Sequence, residues 1–383
     1  MAGDPPLRIF QILRAPVGGL FRHVRDLTEE LGRRGHAVGV IADSLTSDAL
    51  TAERLEGLRP FASLGIHNLP MPRTLGVADF TTPYRIRKMG RALAVDVMHG
   101  HGAKGGLGAR FGRSLGQVSL NTPHGGVLNY KPGSVAGRFF RNAERNIGLI
   151  TDAYIFESAY AQRAFHEQVG EPPCREAVIH NGLAPAEFAP VPLDPDARDF
   201  VFIGEFRDVK GIPVLVDALE PLRRPDGRPA TIAMAGGGPD FELWRRQIAE
   251  RGLTERIELL GVRPARDALR RGNVLVVPSL AESLPYVILE GAAAGRHVIS
   301  TTVGGIAEIF GPTAENLVPP GDVATLRAAM QRALDDPMAA DSEAERRLDF
   351  IRPRFSIAHM TDQIEALYRE VLAKRRAGAP QPG

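Results

Sequence analysis

Glu282 and Glu290 lie in the segment Pro278-Ser-Leu-Ala-Glu282-Ser-Leu-Pro285-Tyr-Val-Ile-Leu-Glu290, directly after an apolar run ending at Val277. Pro285 suits the first turn of a helix, where its missing N–H has no intrahelical partner. That puts Glu282 in the loop before the helix and Glu290 inside it. Helical side chains lean toward the N-terminus, so both carboxylates can face a ligand at the helix mouth. The N–H groups of Ser283, Leu284 and Tyr286, with the helix dipole, would favour phosphate oxygens there. An acid beside Val287, Ile288 and Leu289 needs a polar partner, and a ribose diol is a good one. On spacing alone, a capping Glu282 and a solvated Glu290 are the commoner explanation.

A second cluster is Gly204-Glu-Phe-Arg207-Asp-Val-Lys210-Gly211, again after an apolar run. Arg207 and Lys210, with glycines on both sides, can flank a pyrophosphate; Arg207 pairing with Asp208 on a wet turn is an equally common arrangement. Gly236-Gly237-Gly238-Pro239 and Gly304-Gly305 also follow apolar runs, and a glycine turn there admits either a close ligand or nothing more than a tight bend. Toward the N-terminus stand Gly18-Gly19, His99-Gly-His101, Lys104-Gly-Gly and Thr122-Pro-His124-Gly-Gly. These histidines lack an acid at ligand spacing such as His-Glu-x-x-His, so no metal is expected. In a turn, His124 can hydrogen-bond a sugar hydroxyl or serve a structural role.

The elements that must position these residues read as alternating strands and helices. Leu7–Leu13, the Pro16–Gly19 turn, a helical pattern over Phe21–Leu31, and Ala37–Ala42 make a β-α-β unit. Ala94–Met98, Gln117–Asn121 and Ala153–Phe156 are further candidate strands. Prolines at 185, 190, 192 and 195 suggest a linker. The alternation then resumes with Phe200–Ile203, Thr231–Ala235, Ile257–Leu260, Val274–Val277 and Val298–Thr301. The expectation is an α/β chain of two doubly wound domains, residues 1–190 and 191–355, facing across a cleft where strand ends bind ligands. Residues 356–383 are expected to form a helix that can pack back on the first domain, followed by a frayed tail.

Hydrophobic residues are 44% and charged residues 24% of the 383, which excludes a disordered regulator. A net charge of +2 and 6% aromatics disfavour a nucleic-acid partner. Basic residues exceed acidic ones only before residue 190. Arg85, Arg87, Lys88 and Arg91 fall on one helical stretch there, either a solvated face or a peripheral contact with anionic lipid. Cys174 is the only cysteine, no basic leader opens the sequence, and no run of 18 apolar residues occurs, so a cytoplasmic setting is expected.

Together these residues resemble glycosyltransferases of family 4, retaining enzymes of the GT-B fold that use nucleotide-activated sugars. The resemblance runs from Pro16-Val-Gly18-Gly19 to the helix after Phe355. It is most specific in Glu282-x7-Glu290, Glu290-Gly-Ala-Ala-Ala-Gly and Val303-Gly-Gly-Ile-Ala-Glu308, with support from Asn181-Gly182, Lys210-Gly211 and Arg34-Gly35-His36. It implies that Glu290 binds the ribose and that Glu282, with Ser283, Leu284 and Pro285, holds the donor sugar. Lys210 would take the diphosphate, His124 would reach the sugar, and Gly18 and Gly19 would lie near the phosphates and acceptor. Gly236 and Arg263 border the expected nucleotide site. Glu205 stands where the family usually has arginine, and Arg207 is the candidate substitute. The resemblance further implies a UDP- or GDP-sugar donor as co-substrate, a glycan or lipid-linked acceptor, front-face departure without a covalent nucleophile, no cofactor, and a role in bacterial surface polysaccharide synthesis. A nucleotide-sugar epimerase and a non-catalytic nucleotide-sugar-binding scaffold are the alternatives.

Overall fold

The structure, a computed structural model, describes residues 4–45, 49–129 and 133–377, so the closing residues of the expected tail lie outside the described residues. The chain divides into two units, Met1–Gly182 with Ile357–Gly383, and Leu183–Ser356.

In the first unit β1 (Arg8–Leu13), α1 (Gly18–Arg33), β2 (Ala37–Asp43), α2 (Ala49–Glu56) and β3 (Gly65–Leu69) are followed by α3 (Ala78–Ala92), β4 (Val97–His101), α4 (Gly102–Gly112) and β5 (Val118–Thr122). Next come α5 (Val135–Gly148), β6 (Ala153–Phe156), α6 (Ala159–Gln168) and β7 (Arg175–Val178). The seven strands form one sheet in the order β3-β2-β1-β4-β5-β6-β7, parallel throughout. Ile9, Phe10, Ile12 and Leu13 are fully buried, as a parallel strand covered on both faces requires. Phe21, Val24, Leu27 and Leu31 form the buried stripe of α1 at helical spacing.

The second unit holds β8 (Arg198–Ile203), α7 (Ile212–Leu219), β9 (Ile232–Ala235), α8 (Phe241–Glu250), β10 (Ile257–Gly261), α9 (Ala265–Leu269) and β11 (Gly272–Val277). Then follow α10 (Tyr286–Ala293), β12 (His297–Ser300), α11 (Ile306–Phe310), α12 (Val323–Asp335) and α13 (Pro337–Arg354). Its five strands are also parallel, in the order β10-β9-β8-β11-β12. Strand order reverses between β1 and β4 in the first unit and between β8 and β11 in the second. These are the positions where the loops at the carboxyl ends of parallel strands diverge and leave a crevice.

Three expectations change. The boundary falls after Gly182 and not at 190, because the proline-rich stretch is no linker: Pro185–Phe188 is a short 3-10 turn, and Phe188 and Val191 are buried with Leu269 and Ile288 in the second unit's core. The strand expected from Ala94 starts at Val97, since the N–H groups of Leu93, Ala94 and Val95 bond back to Met89, Arg91 and Gly90 and close α3. His99 therefore lies inside a strand. The edge strands β3 and β7, with polar residues in short segments, carry too little apolar pattern to be seen in the sequence.

The last helix, α14 (Ile357–Ala377), belongs to the first unit, burying Ile364, Leu367, Tyr368 and Val371 against Leu7, Ile9, Val97 and Leu120. The Tyr368 hydroxyl lies 2.6 Å from His99 Nδ1 and accepts from Gln11 Nε2 at 3.3 Å, so α14 reaches the polar residues of β1 and β4.

Arg110 of α4 is fully buried and makes a two-pronged pair with Glu144 of α5, at 2.6 and 3.1 Å, with the Tyr154 hydroxyl 2.9 Å away. Removing one member strands a buried charge. Glu144→Ala is expected to lower unfolding free energy by about 3–5 kcal/mol, measured by urea denaturation.

Candidate active site

In the second unit the loops after β8, β11 and β12 are in backbone contact. The Leu280 N–H donates to Val209 O at 2.8 Å, and the Gly305 N–H donates to Ser283 O at 2.6 Å. Gly211 and Gly304 have φ of +69° and +60°, and a Cβ on either would lie 2.1 Å from a carbonyl oxygen, of Pro278 and Glu282 respectively. Only glycine permits both the turn and the approach.

This contact brings Lys210, at the end of a 3-10 turn, onto Glu282: Nζ lies 2.5 Å from Oε1, which also accepts from Ser279 Oγ at 2.7 Å. Seventy-two residues separate the pair in sequence, and they meet because β8 and β11 are neighbours across the strand reversal. Pro285 is the N-cap of α10, one position before the helix and not within its first turn. Leu284 and Pro285 are buried and anchor the entry to α10, while Ser283 and Glu290 are half-buried. The arrangement combines an ammonium, a carboxylate and a helix N-terminus, and suits a ligand carrying both phosphate and hydroxyl groups.

Arg207 does not join this group. Its guanidinium lies 3.4 Å from Glu205, with both side chains half-exposed, in place of the expected clamp with Lys210 or a pair with Asp208. Such an exposed pair is held by little. Gly236 and Arg263 border a separate shallow concavity with Gly204, Glu205 and Val262, at the ends of β8, β9 and β10.

In the first unit, α1 begins at Gly18 with φ of +63°, and Gly19 is its second residue. Val17 and Leu20 on either side of them line a cavity of about 460 Å³ with Arg14, Arg73, His101, Lys104 and His124. Lys104 meets Asp79 at 2.5 Å and sits in α4, whose next residue, Gly105, packs so closely on β1 that a Cβ would lie 2.1 Å from Ile12 O.

His124 has φ of +47°, one of two non-glycine residues in the left-handed region among those described. That conformation costs on the order of 1 kcal/mol and calls for a reason. The reason is visible around it. His124 Nε2 lies 3.2 Å from His101 Nδ1, and its ring stands 5.1 Å from that of His23. His23 comes from α1, His101 from the end of β4 and His124 from the turn after β5. His101 Nε2 meets Gln11 Oε1 at 2.7 Å, His23 Nδ1 meets Asn181 Oδ1 at 3.0 Å, and His99 Nε2 meets Thr122 Oγ1 at 2.8 Å. Burial pushes His23 and His124 down to about 3, with their mutual repulsion adding to the effect at His23. Burial likewise holds His99 and His101 well below 6.5. All four rings are neutral near pH 7.

His23, Gln11 and Tyr368 were missed in the sequence. The one signal for His23 was a histidine on the apolar face of α1, in step with Leu20, Val24 and Leu27. Nothing local marks Gln11 or Tyr368, whose roles arise only where β1, β4 and α14 meet.

Residues 17–187 match the family described as Glycosyltransferase Family 4, and residues 197–336 match Glycosyl transferases group 1. The chain belongs to the family 4 glycosyltransferases. A glycogen synthase of Mycobacterium tuberculosis is 28% identical over 401 aligned positions, which cover 96% of this chain and 94% of that protein. Among solved structures, a glycosyltransferase from Rickettsia africae aligns with a TM-score of 0.80 at 17% identity, covering 96% of this chain and 99% of that one. Anabaena HepE in complex with UDP aligns with a TM-score of 0.75 at 17% identity, over 95% and 100% of the two chains. The two parallel sheets with their covering helices are the GT-B fold. The glycosyltransferase thus carries a polar cluster on each unit: the Lys210–Glu282 pair on one and the histidine cluster on the other.

The buried histidines make stability depend on pH. An unfolded imidazole takes up a proton near 6.5, whereas His23 and His124 in the folded chain do so only near 3. Between those values the unfolded state binds more protons. Stability is therefore fully present above pH 6.5 and is lost as pH falls, by about 1.4 kcal/mol per pH unit for each such histidine. Denaturation midpoints measured from pH 7 to pH 5 are expected to fall steeply, and less steeply in His23→Gln.

Proposed function

We propose that this glycosyltransferase moves a hexosyl group from a UDP- or GDP-sugar to a glycan or lipid-linked acceptor with retention of anomeric configuration, in the synthesis of a bacterial surface polysaccharide or glycolipid. The observation that carries this reading is the Lys210–Glu282 pair beside the N-terminus of α10 at the strand reversal of the second unit. HepE, a protein of the same fold, holds UDP and UDP-glucose. The relation to a glycogen synthase supports a glycan acceptor.

In this reading the donor diphosphate takes Lys210 and the end of α10, Arg207 leaves Glu205 to join it, and Glu290 accepts from the ribose hydroxyls. Glu282, with the backbone of Ser283 to Pro285, holds the hexose, while Gly236 and Arg263 border the base. The bond from the anomeric carbon to the β-phosphate oxygen breaks, and its electron pair goes to that oxygen. The acceptor oxygen bonds to the anomeric carbon on the same face, and its proton passes to the departing phosphate. Lys210 and the helix dipole stabilise the charge that develops there, in place of a metal on the phosphates. The first unit's cavity, with His124 and the Gly18-Gly19 turn beside it, serves the acceptor side.

A peripheral membrane contact fits the outer face of α3. Arg85 and Lys88 are exposed there beside Phe80 and Tyr84, which are 83% and 69% exposed, whereas Arg87 and Arg91 bond to Phe111 O and Ser114 Oγ. Among the described residues no helix is long and apolar enough to cross a membrane. Reversing Arg85 and Lys88 to glutamate is expected to abolish cosedimentation with phosphatidylglycerol vesicles; undiminished binding would reject the contact.

Calorimetry with UDP-sugars and GDP-sugars in EDTA is expected to show binding of one series. Losing the charge-assisted bond of Lys210→Ala should cost about 1.5–3 kcal/mol, roughly ten- to a hundredfold in affinity. Glu290→Ala should likewise abolish most transfer with the fold intact, and proton NMR of the product should show the donor's anomeric configuration. Full activity in either variant would reject the site assignment.

A further inference from the structure

We propose that His23, His101 and His124 form a binding site for one divalent transition-metal ion, with zinc the best match. The inference goes beyond glycosyl transfer and does not depend on it. Three ring nitrogens, one from each residue, lie within 4.8 Å of one another. The ring centroids form a nearly equilateral triangle, with sides of 5.1, 5.4 and 5.5 Å. His101 Nδ1 and His124 Nε2, at 3.2 Å, are close to the roughly 3.3–3.5 Å that separates two nitrogens bound at about 2.0–2.1 Å to a tetrahedral ion.

The outer nitrogens decide which way the lone pairs point. His101 Nε2 faces Gln11 Oε1 and His23 Nδ1 faces Asn181 Oδ1, so each places its N–H on a side-chain carbonyl. His101 Nδ1, which faces His124 Nε2, and His23 Nε2 are then left as acceptors. Gln11 is itself oriented by the Tyr368 hydroxyl, to which its amide donates. A carbonyl behind each ligand imidazole is the arrangement that fixes the tautomer and raises basicity in metal sites.

His23 Nε2 is buried and has no hydrogen-bond partner among the described residues, an arrangement that costs free energy unless a ligand occupies it. Metal binding requires neutral imidazoles, and the bonds of His101 Nε2 and His23 Nδ1 to carbonyl oxygens are compatible with that form. The buried carboxylate of Glu157 lies within electrostatic reach of His23 and offsets part of an ion's charge. Three imidazoles without a carboxylate in the triangle disfavour magnesium and calcium and suit zinc. Because His101 and His124 also line the first unit's cavity, the fourth position opens toward Arg14, Arg73 and Lys104, and a hydroxyl or anion would fill it. Ligation through Nε2 leaves His124 Nδ1 for substrate, so the site is compatible with a role on the acceptor side.

The experiment is a titration of the tag-free full chain, stripped with chelator, with Co²⁺ and then Zn²⁺. One Co²⁺ per chain is expected, with the intense visible bands of a four-coordinate ion, displaced by one equivalent of Zn²⁺. His124→Asn, which keeps a residue tolerant of positive φ, should weaken binding at least a hundredfold and remove the rise in melting temperature given by Zn²⁺. Gln11→Met touches no ion and should still weaken it ten- to a hundredfold, with unchanged circular dichroism. No visible bands, or uptake unaffected by His124→Asn, would overturn the site and leave His124 donating a proton to His101 instead. The titration uses no donor and the donor calorimetry contains EDTA, so either reading can fail without the other.

Discussion

The meeting of Lys210 with Glu282 in the second unit rests on direct backbone contact between loops that follow neighbouring parallel strands. Parallel pairing sends every strand of the second unit's sheet toward the same end, and the reversal between β8 and β11 opens the space there. The loops then approach until carbonyl oxygens of Pro278 and Glu282 occupy the places where side chains of residues 211 and 304 would begin. Lys210 and Glu282 meet as a result of that closeness. A half-buried ion pair held by a shared hydroxyl is better oriented than two flexible side chains in water, which spares part of the entropy of ordering them around a ligand.

The first unit solves a different problem. It carries an unusually polar set of side chains through the middle of a parallel sheet, with Gln11 on β1, His99 and His101 on β4 and Thr122 on β5, all buried. Desolvation alone would make such a core costly, so the groups satisfy one another in a chain from Thr122 through His99, Tyr368 and Gln11 to His101 and His124. The hydroxyl at the centre of that chain comes from α14, the last helix. The C-terminal segment is therefore part of the site's support as well as of the hydrophobic core, and His124 is held in the left-handed region where the chain of contacts ends.

The fold class was legible because its signals are local and repeated. Apolar runs such as Phe200–Ile203 and Val274–Val277, separated by helical patterns, can be buried on both faces only in a parallel sheet, and glycines after those runs mark the turns at its carboxyl ends. Glu282 with Glu290, and Lys210 with Gly211, were visible as motifs for the same reason, each contained in one loop and the start of one helix. The linker reading of the proline stretch failed because composition does not report burial: Phe188 and Val191 outweigh the prolines once they find a core to enter.

The sequence by itself determined the alternating architecture, the family resemblance and the motifs that contain the candidate site residues, since these depend on neighbours a few positions apart. Tertiary structure alone decided which of them meet. It joined Lys210 to Glu282 and turned Arg207 away to Glu205. It also gathered His23, His101 and His124 from a helix, a strand end and a turn into one buried cluster, although their spacing along the chain matches no metal motif. The reason is physical: hydrogen bonds, desolvation and ligand geometry act over a few ångströms in space, and the pairing of β4 with β1 and β5, and of β8 with β11, brings those residues within that distance.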